Sequence, residues 1–281
     1  MIKLLTSGLF TTIQDRGRFG YRNQGIPVSG AMDMASATLA NTVLNNVENE
    51  AVMEITMLGP TLFFEVDTFI CITGAIFNPI LNGVEVPMFK RVHVKNNSTL
   101  KIGAAQQGMR GYIAVKGGFD VEKILGSYSQ YKGVTNLYQL KKGDELSLKQ
   151  PKVEGFQISE DNIIKKLSSE IYLEVTKGPE FDMLTTQEQE ILLNFKGVIN
   201  PQSNRMAYLL GNILNINPPD IITSAVQPGT VQVTPSGTCI VLMRDAQTTG
   251  GYARVLQLTS KAIDVLSQKQ PMERITFLLK N

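Results

Sequence analysis

The sequence predicts a mainly β protein with a few short helices, organised as two domains. Three observations carry that expectation. Short β-branched and apolar runs recur at Phe69–Thr73, Val92–Val94, Leu100–Ile102, Tyr112–Val115, Ile171–Val175, Val231–Val233 and Cys239–Met243. Turn residues punctuate them, among them Asn82-Gly83, Lys116-Gly117-Gly118 and Lys142-Gly143-Asp144. Stretches with helical character are few. Many short strands at near-regular spacing point to barrels or sandwiches rather than to alternating βαβ units.

In chain order, MIKLLTSGLF has one lysine and a brief apolar patch. It is too short for a secretory h-region and reads as the first strand of a cytoplasmic protein. The run Thr11–Asp33 follows, interleaving Gln14, Asp15, Arg16, Arg18, Tyr21, Arg22, Asn23 and Gln24 with glycines and a proline. A run this polar is expected to lie outside the core, as a long ordered loop with a function. Asp33 is placed to N-cap a helix through Met34–Leu44. Strand character resumes and ends at Glu145–Leu148. The polar stretch around Pro151–Ser169 marks a boundary, giving domains 1–150 and 151–281. Beyond it, Thr185-Thr186-Gln187-Glu188 has capping-box spacing ahead of Ile191–Leu193, and Ser260–Gln268 is a third helix candidate. Glu54-Ile55-Thr56 before Gly59-Pro60 is echoed by Glu174-Val175-Thr176 before Gly178-Pro179, which fits two related β domains.

Composition narrows the function. Net charge is +2 over 281 residues, with Lys and Arg scattered rather than striped, so no nucleic-acid footprint is expected. No run of eighteen uncharged apolar residues occurs, so no membrane span is expected. Cys71 and Cys239 sit in apolar runs and read as buried reduced thiols. Two cysteines and one histidine make neither a zinc cage nor a disulfide framework, and no metal is expected. His93 alternates with Val92 and Val94, which puts it on the polar face of a strand. The chain has no phosphate loop, Rossmann glycine fingerprint or nucleophile elbow. It also has no Ala-Met-Lys-Met segment, so it carries no biotin of its own.

Two polar segments and one cluster are candidates for chemistry. Asp15, between Gln14 and Arg16, offers a carboxylate beside a guanidinium that can orient an amide or carboxylate. A structural Asp–Arg bridge is the alternative. Arg18 and Arg22 are candidates for a phosphate or carboxylate, or are solvated arginines. Tyr21 follows Gly20, and its hydroxyl faces a site or a core partner. Ser29-Gly30 tightens the chain before the helix, where backbone N–H groups can hold an anionic oxygen. In the second half, Gln247-Thr248-Thr249-Gly250-Gly251-Tyr252 follows an apolar strand. Its glycines can take up φ > 0 and present N–H groups to an oxyanion; a hydroxyl-capped hairpin turn is the alternative. Arg205 is a candidate for a substrate carboxylate, or for a salt bridge to the neighbouring domain.

The motifs Gln14-Asp15-Arg16-Gly17-Arg18 with Gly20-Tyr21, Gly25-Ile26-Pro27 with Ser29-Gly30-Ala31-Met32-Asp33, and Gln247 to Tyr252 together resemble a known family. It is the one variously called allophanate hydrolase subunit 2, the carboxyltransferase A/B domain of urea carboxylase, or the C subunit of bacterial ATP-dependent 5-oxoprolinase. The likeness runs from about Thr6 to Leu278. It implies two cyclophilin-like β-barrels and a hydrolase component active only with its partners, 5-oxoprolinase subunits A and B. The implied reaction opens 5-oxoproline to glutamate, with ATP bound mainly on partner subunits. Gln14, Asp15, Arg16, Gln247 and Thr248 would act at the reacting amide. Tyr21, Ser29, Arg205, Thr249, Gly250, Gly251 and Tyr252 would bind substrate. The family also implies two alternatives: carboxyl transfer to urea or a related amide, with carboxybiotin on another chain, or a non-catalytic regulator that binds an antikinase. The sequence departs from the family's commoner pattern at Tyr128 after Gly126-Ser127, at Asn204 and at Ala246. The first two change charge at possible ligand positions.

Overall fold

The structure is a computed structural model that describes residues 1–150 and 171–280. The polar stretch 151–169, where the boundary is expected, therefore lies outside the described residues. The chain divides into two compact units. The first is Met1–Arg18 with the described part of Ser29–Leu167, and the second is Phe19–Val28 with the described part of Ser168–Asn281.

The mainly β expectation holds. The first unit has a seven-stranded sheet in the order Phe119–Asp120, Glu145–Leu148, Ile2–Thr6, Thr61–Phe64, Ser98–Lys101, Ile80–Leu81 and Val84–Glu85. Its five-stranded sheet runs Phe10–Gln14, Val52–Thr56, Gln107–Val115, Thr68–Ile76 and Val92–Val94. One hydrophobic cluster draws on both sheets, including Ile2, Leu4, Leu62, Phe64 and Leu100 from the first and Ile13, Ile55, Ile72 and Ile113 from the second. Successive strand residues point to opposite faces, so Cys71, Tyr112 and Ala114 face the other way. There they meet Ala37, Ala40 and Leu44, borne by helix α1 (Met34–Val43) and its C-cap. Burial on both faces explains why TFICITG and GYIAV read as nearly continuous apolar runs.

The second unit is a closed barrel in the order Tyr172–Lys177, Ala253–Leu258, Thr230–Val233, Thr238–Leu242, Ala207–Ile213, Lys196–Ile199 and Arg274–Leu279. It closes through the parallel pairing of Tyr172–Lys177 with Arg274–Leu279, in the register Leu173↔Phe277. Leu173, Val175, Tyr208, Leu210, Val231, Val241, Val255, Ile275 and Phe277 are buried. Helix α2 (Thr186–Leu193) has the capping box read from the sequence, with Thr185 and Glu188 exchanging bonds. Helix α3 (Ser260–Ser267) starts at an N-cap, Thr259, and ends one residue short of the expected Gln268.

One expectation is corrected. The polar run does not begin as a loop, because Phe10–Gln14 is a strand with Thr11, Thr12 and Gln14 buried. Backbone pairing with Val52–Thr56 and side-chain bonds such as Thr11 Oγ1 to the Ser7 carbonyl at 2.7 Å satisfy most of its polar groups, which makes burial tolerable. The cysteines are both free and buried. Burial pushes the Cys71 thiol up to about 12 and raises Cys239 further. His93 is exposed on its strand, as expected.

Candidate functional site

In the first unit, Asp15 is the hub of the polar run. It is 3% exposed, and its carboxylate accepts from Gly17 N (2.8 Å), Tyr128 N (2.8 Å), Ser127 Oγ (2.6 Å) and Ser129 Oγ (2.7 Å). Arg16 does not join it. Its guanidinium reaches Glu48 at 3.2 Å on the surface. Arg18, fully buried, donates to the carbonyls of Ile124 (3.0 Å) and Ser129 (2.8 Å). The run 15–18 is thus tied to the loop 124–129. Tyr128 takes a bond from Lys149 Nζ at 2.6 Å through its hydroxyl, and Lys149 also pairs with Glu50.

The start of α1 is built from the protein's own groups. Glu54 Oε2 accepts from Met32 N (2.8 Å) and from the Tyr112 hydroxyl (2.9 Å), which in turn accepts from Asp33 N (2.7 Å). Asp33 caps the helix by accepting from Ser36 N at 2.9 Å, as the sequence predicts. Burial, followed by the charges of Glu54 and Asp33, raises the Tyr112 phenol well above its ordinary value, so it stays a protonated donor. Just before this point Ser29 is fully buried with φ 56, a left-handed conformation that a non-glycine residue adopts at a cost.

In the second unit, Arg205 and Asp245 form a buried ion pair. The Gln247–Tyr252 segment forms a short ribbon, with Thr249–Gly250 pairing antiparallel to Ser224–Ala225 and the Thr248 carbonyl accepting from Val226 N at 3.1 Å. Neither Gly250 nor Gly251 adopts the left-handed φ expected for an oxyanion-binding turn. Gly250 is extended because its neighbours are laddered. The hydroxyls of Thr248, Thr249 and Tyr252 make no hydrogen bond among the described residues. The ribbon's partner residues Ala225 and Val226 line a cleft of about 300 Å³, together with Thr176, Lys177, Gly178, Pro179, Gln227, Thr230, Leu256, Gln257 and two arginines, Arg22 and Arg254. Arg22 belongs to this unit through the Phe19–Val28 excursion, in which Tyr21 immediately precedes it. Arg254 is held by Glu180 at 2.6 and 3.0 Å.

Three of the sequence-predicted site residues share a property that core residues seldom have. Gln14 Oε1, Ser29 Oγ and Gln247 Oε1 are buried oxygens with no hydrogen-bond partner among the described residues. Such atoms are few in native proteins, and each calls for a reason. Two are amide oxygens, which accept from an N–H donor. Sequence reasoning missed most of the cleft. Its signals were Arg22, a candidate for a phosphate or carboxylate, and the repeated Gly-Pro echo, whose second copy, Gly178-Pro179, forms part of the wall.

The β units and their polar segments are those of a carboxyltransferase-type domain. The chain matches the carboxyltransferase domain family, subdomains A and B, over residues 24–279, and it belongs to that family. It is 36% identical to the C subunit of 5-oxoprolinase from Escherichia coli (strain K12), covering 91% of this chain and 83% of that protein. It is 32% identical to the protein of the same name from Haemophilus influenzae, covering 99% and 90%. Among solved structures, the urea amidolyase of K. lactis superposes with a TM-score of 0.89 at 27% identity. That match covers all of this chain but 19% of the much longer amidolyase.

Proposed function

We propose that this chain is the C subunit of an ATP-dependent 5-oxoprolinase, a hydrolase that opens the lactam of 5-oxo-L-proline to L-glutamate together with subunits A and B. The observation that carries this reading is the similarity to 5-oxoprolinase C subunits along nearly the full length of both proteins. The site chemistry supports it. A lactam is a poor electrophile that presents one N–H donor and one carbonyl oxygen. Each unit has one such acceptor, Gln14 Oε1 in the first and Gln247 Oε1 in the second, and either is suited to that N–H. Arg16 in the first unit and Thr248 in the second are each donors suited to the carbonyl oxygen, where negative charge develops as water attacks the carbonyl carbon. Asp15 positions rather than reacts, because its carboxylate is filled by its own loop.

ATP supplies phosphoryl activation of the amide oxygen in this reading. The chain has no phosphate loop, and among the described residues no three His, Cys, Asp or Glu side chains cluster to hold a metal ion. No residue of this chain is assigned to ATP, and in this reading the nucleotide is held mainly with the partner subunits. The decisive experiment measures glutamate released from 5-oxoproline and ATP by this chain alone and with its A and B partners. Turnover is expected only in the full mixture. Folded, associated subunits with no turnover would refute the reading.

A second reading rests on the superposition with urea amidolyase. In it, the chain transfers a carboxyl group from carboxybiotin, carried on another chain, to urea or a related amide. Carboxyl transfer without glutamate release in the same assay format would favour it.

A further inference from the structure

The cleft of the second unit is left unused by the groups assigned above, yet its charge is unbalanced. Arg22, Lys177 and Arg254 line it, and no acidic residue among those described does. Two of these cations are already neutralised by carboxylates outside the lining: Arg254 by Glu180 at 2.6 Å and Lys177 by Asp182 at 2.7 Å. Arg22 differs. It is half-buried, and its guanidinium has no ion pair or hydrogen bond among the described residues. The 3-10 turn Arg22–Gln24 holds its backbone, closed by Gly25 N donating to the Arg22 carbonyl at 3.0 Å, with Gly25 at φ 78. An uncompensated guanidinium in a cleft offers one unit of charge and a planar fork that matches a carboxylate.

We infer that this cleft binds a small monocarboxylate, with Arg22 as the carboxylate-binding residue. A volume of about 300 Å³ lies at the lower end of ligand-sized cavities, which suits a compact molecule and not a nucleotide. Pro179, Val226 and Leu256 supply an apolar wall for its body, and the exposed Gln227 supplies an amide. A phosphate dianion would bring more charge than Arg22 alone balances. The carboxylate role considered for Arg205 thus passes to Arg22, because Arg205 is bound to Asp245 through two nitrogens. The carboxylate chemistry of the cleft stands on its own lining, and only the choice of 5-oxoproline as its ligand rests on the reading proposed above.

The test is calorimetric titration of the full chain with four probes. These are 5-oxo-L-proline, cyclopentanecarboxylate (the same ring size with the carboxylate alone), 2-pyrrolidinone (the lactam alone) and inorganic phosphate. At least one carboxylate is expected to saturate the protein, with 2-pyrrolidinone silent. Arg22→Gln is expected to weaken binding about tenfold, the loss of one charge-assisted contact, and Arg22→Lys to restore part of it. Thermal unfolding of both variants should match the parent, since the Arg22 side chain makes no hydrogen bond or ion pair among the described residues for the fold to lose. Three results would overturn the inference: no carboxylate binding, equal binding by Arg22→Gln, or phosphate binding more tightly than either carboxylate. Arg22-dependent binding of cyclopentanecarboxylate without binding of 5-oxoproline would uphold the cleft and count against the 5-oxoprolinase reading.

Discussion

Arg205 and Asp245 meet as a two-point ion pair, Nε to Oδ2 at 2.8 Å and Nη2 to Oδ1 at 3.1 Å, with side chains only 8% and 12% exposed. The backbone repeats the contact, Asp245 N donating to the Arg205 carbonyl at 2.9 Å. The pair clips the entry to the strand Ala207–Ile213 onto the exit of its antiparallel neighbour Thr238–Leu242, just ahead of Gln247. Removing one partner leaves the other charge buried. Arg205→Ala should therefore cost about 3–5 kcal/mol, whereas replacing both residues by apolar ones of similar volume should recover most of that loss. Urea unfolding of the two single variants and the double variant measures the coupling.

Asp15 and Arg16 are neighbours in sequence with opposite fates, and their variants should separate accordingly. Asp15→Asn turns an acceptor of four donors into a half-donor facing them. A loss of about 2–4 kcal/mol is expected, from the energy of charge-assisted bonds and the cost of unmet ones. Arg16→Gln removes an exposed pair with Glu48, and about 0–1 kcal/mol is expected. Denaturation midpoints check both values. Because Arg16→Gln leaves the fold intact, a fall in glutamate release by the assembled complex carrying it would report on Arg16 at the substrate.

Much of the fold can be read in the sequence, and the parts that cannot have physical reasons. Capping signals are local, so Asp33, Thr185 and Glu188 foretell their helices. Alternation and turns mark the strands Val92–Val94 and Glu145–Leu148 to the residue. The strand Phe10–Gln14 is hidden because the burial of its three polar residues, Thr11, Thr12 and Gln14, is licensed by distant partners, Val52–Thr56 and Gln130. For the same reason the hub at Asp15 is invisible: its ligands Ser127, Tyr128 and Ser129 lie more than a hundred residues away. Polar density does single out Gln14, Ser29 and Gln247, whose buried oxygens have no partners among the described residues. It gives no hint that Phe19–Val28 joins the second unit and carries Arg22 to its cleft, since which unit a segment packs against is a tertiary fact. The φ of Gly250 departs from expectation because a glycine permits left-handed backbone without requiring it.

Gly178 sits where the cleft wall crosses the backbone of the neighbouring strand. A Cβ there would lie far inside contact distance of the Arg254 carbonyl oxygen, an atom that accepts from Glu180 N at 3.3 Å on a strand paired with Thr230–Val233 through Gln232↔Arg254. At Gly250 the nearest atom is the end of the Gln232 side chain, at 2.9 Å, which can shift by loosening its bond to the Tyr252 carbonyl. Gly178→Ala is expected to destabilise by about 2–3 kcal/mol, as overpacking against fixed structure does, and Gly250→Ala by less than about 1 kcal/mol. Thermal or urea unfolding orders the pair. Equal effects would mean that the Tyr172–Lys177 strand yields where this packing says it cannot.

Glu180 ties the same wall to pH. Its carboxylate accepts from Arg254 Nε (3.0 Å), Nη2 (2.6 Å) and backbone N (2.8 Å). The side-chain bonds from Arg254 hold its pKa below the ordinary 4.5 even though burial opposes them. A folded value below the unfolded one means that protons bind the unfolded chain more readily. The pair's contribution is therefore complete above pH 4.5 and is lost as the pH falls through the depressed folded value. Glu180→Gln removes that titration and leaves Arg254 without its carboxylate at every pH. The parent should exceed the variant in stability at about pH 6–7, and the two should converge in stronger acid. Urea midpoints across that range decide the matter: a constant difference down to the most acidic point would show that Glu180 contributes shape rather than charge.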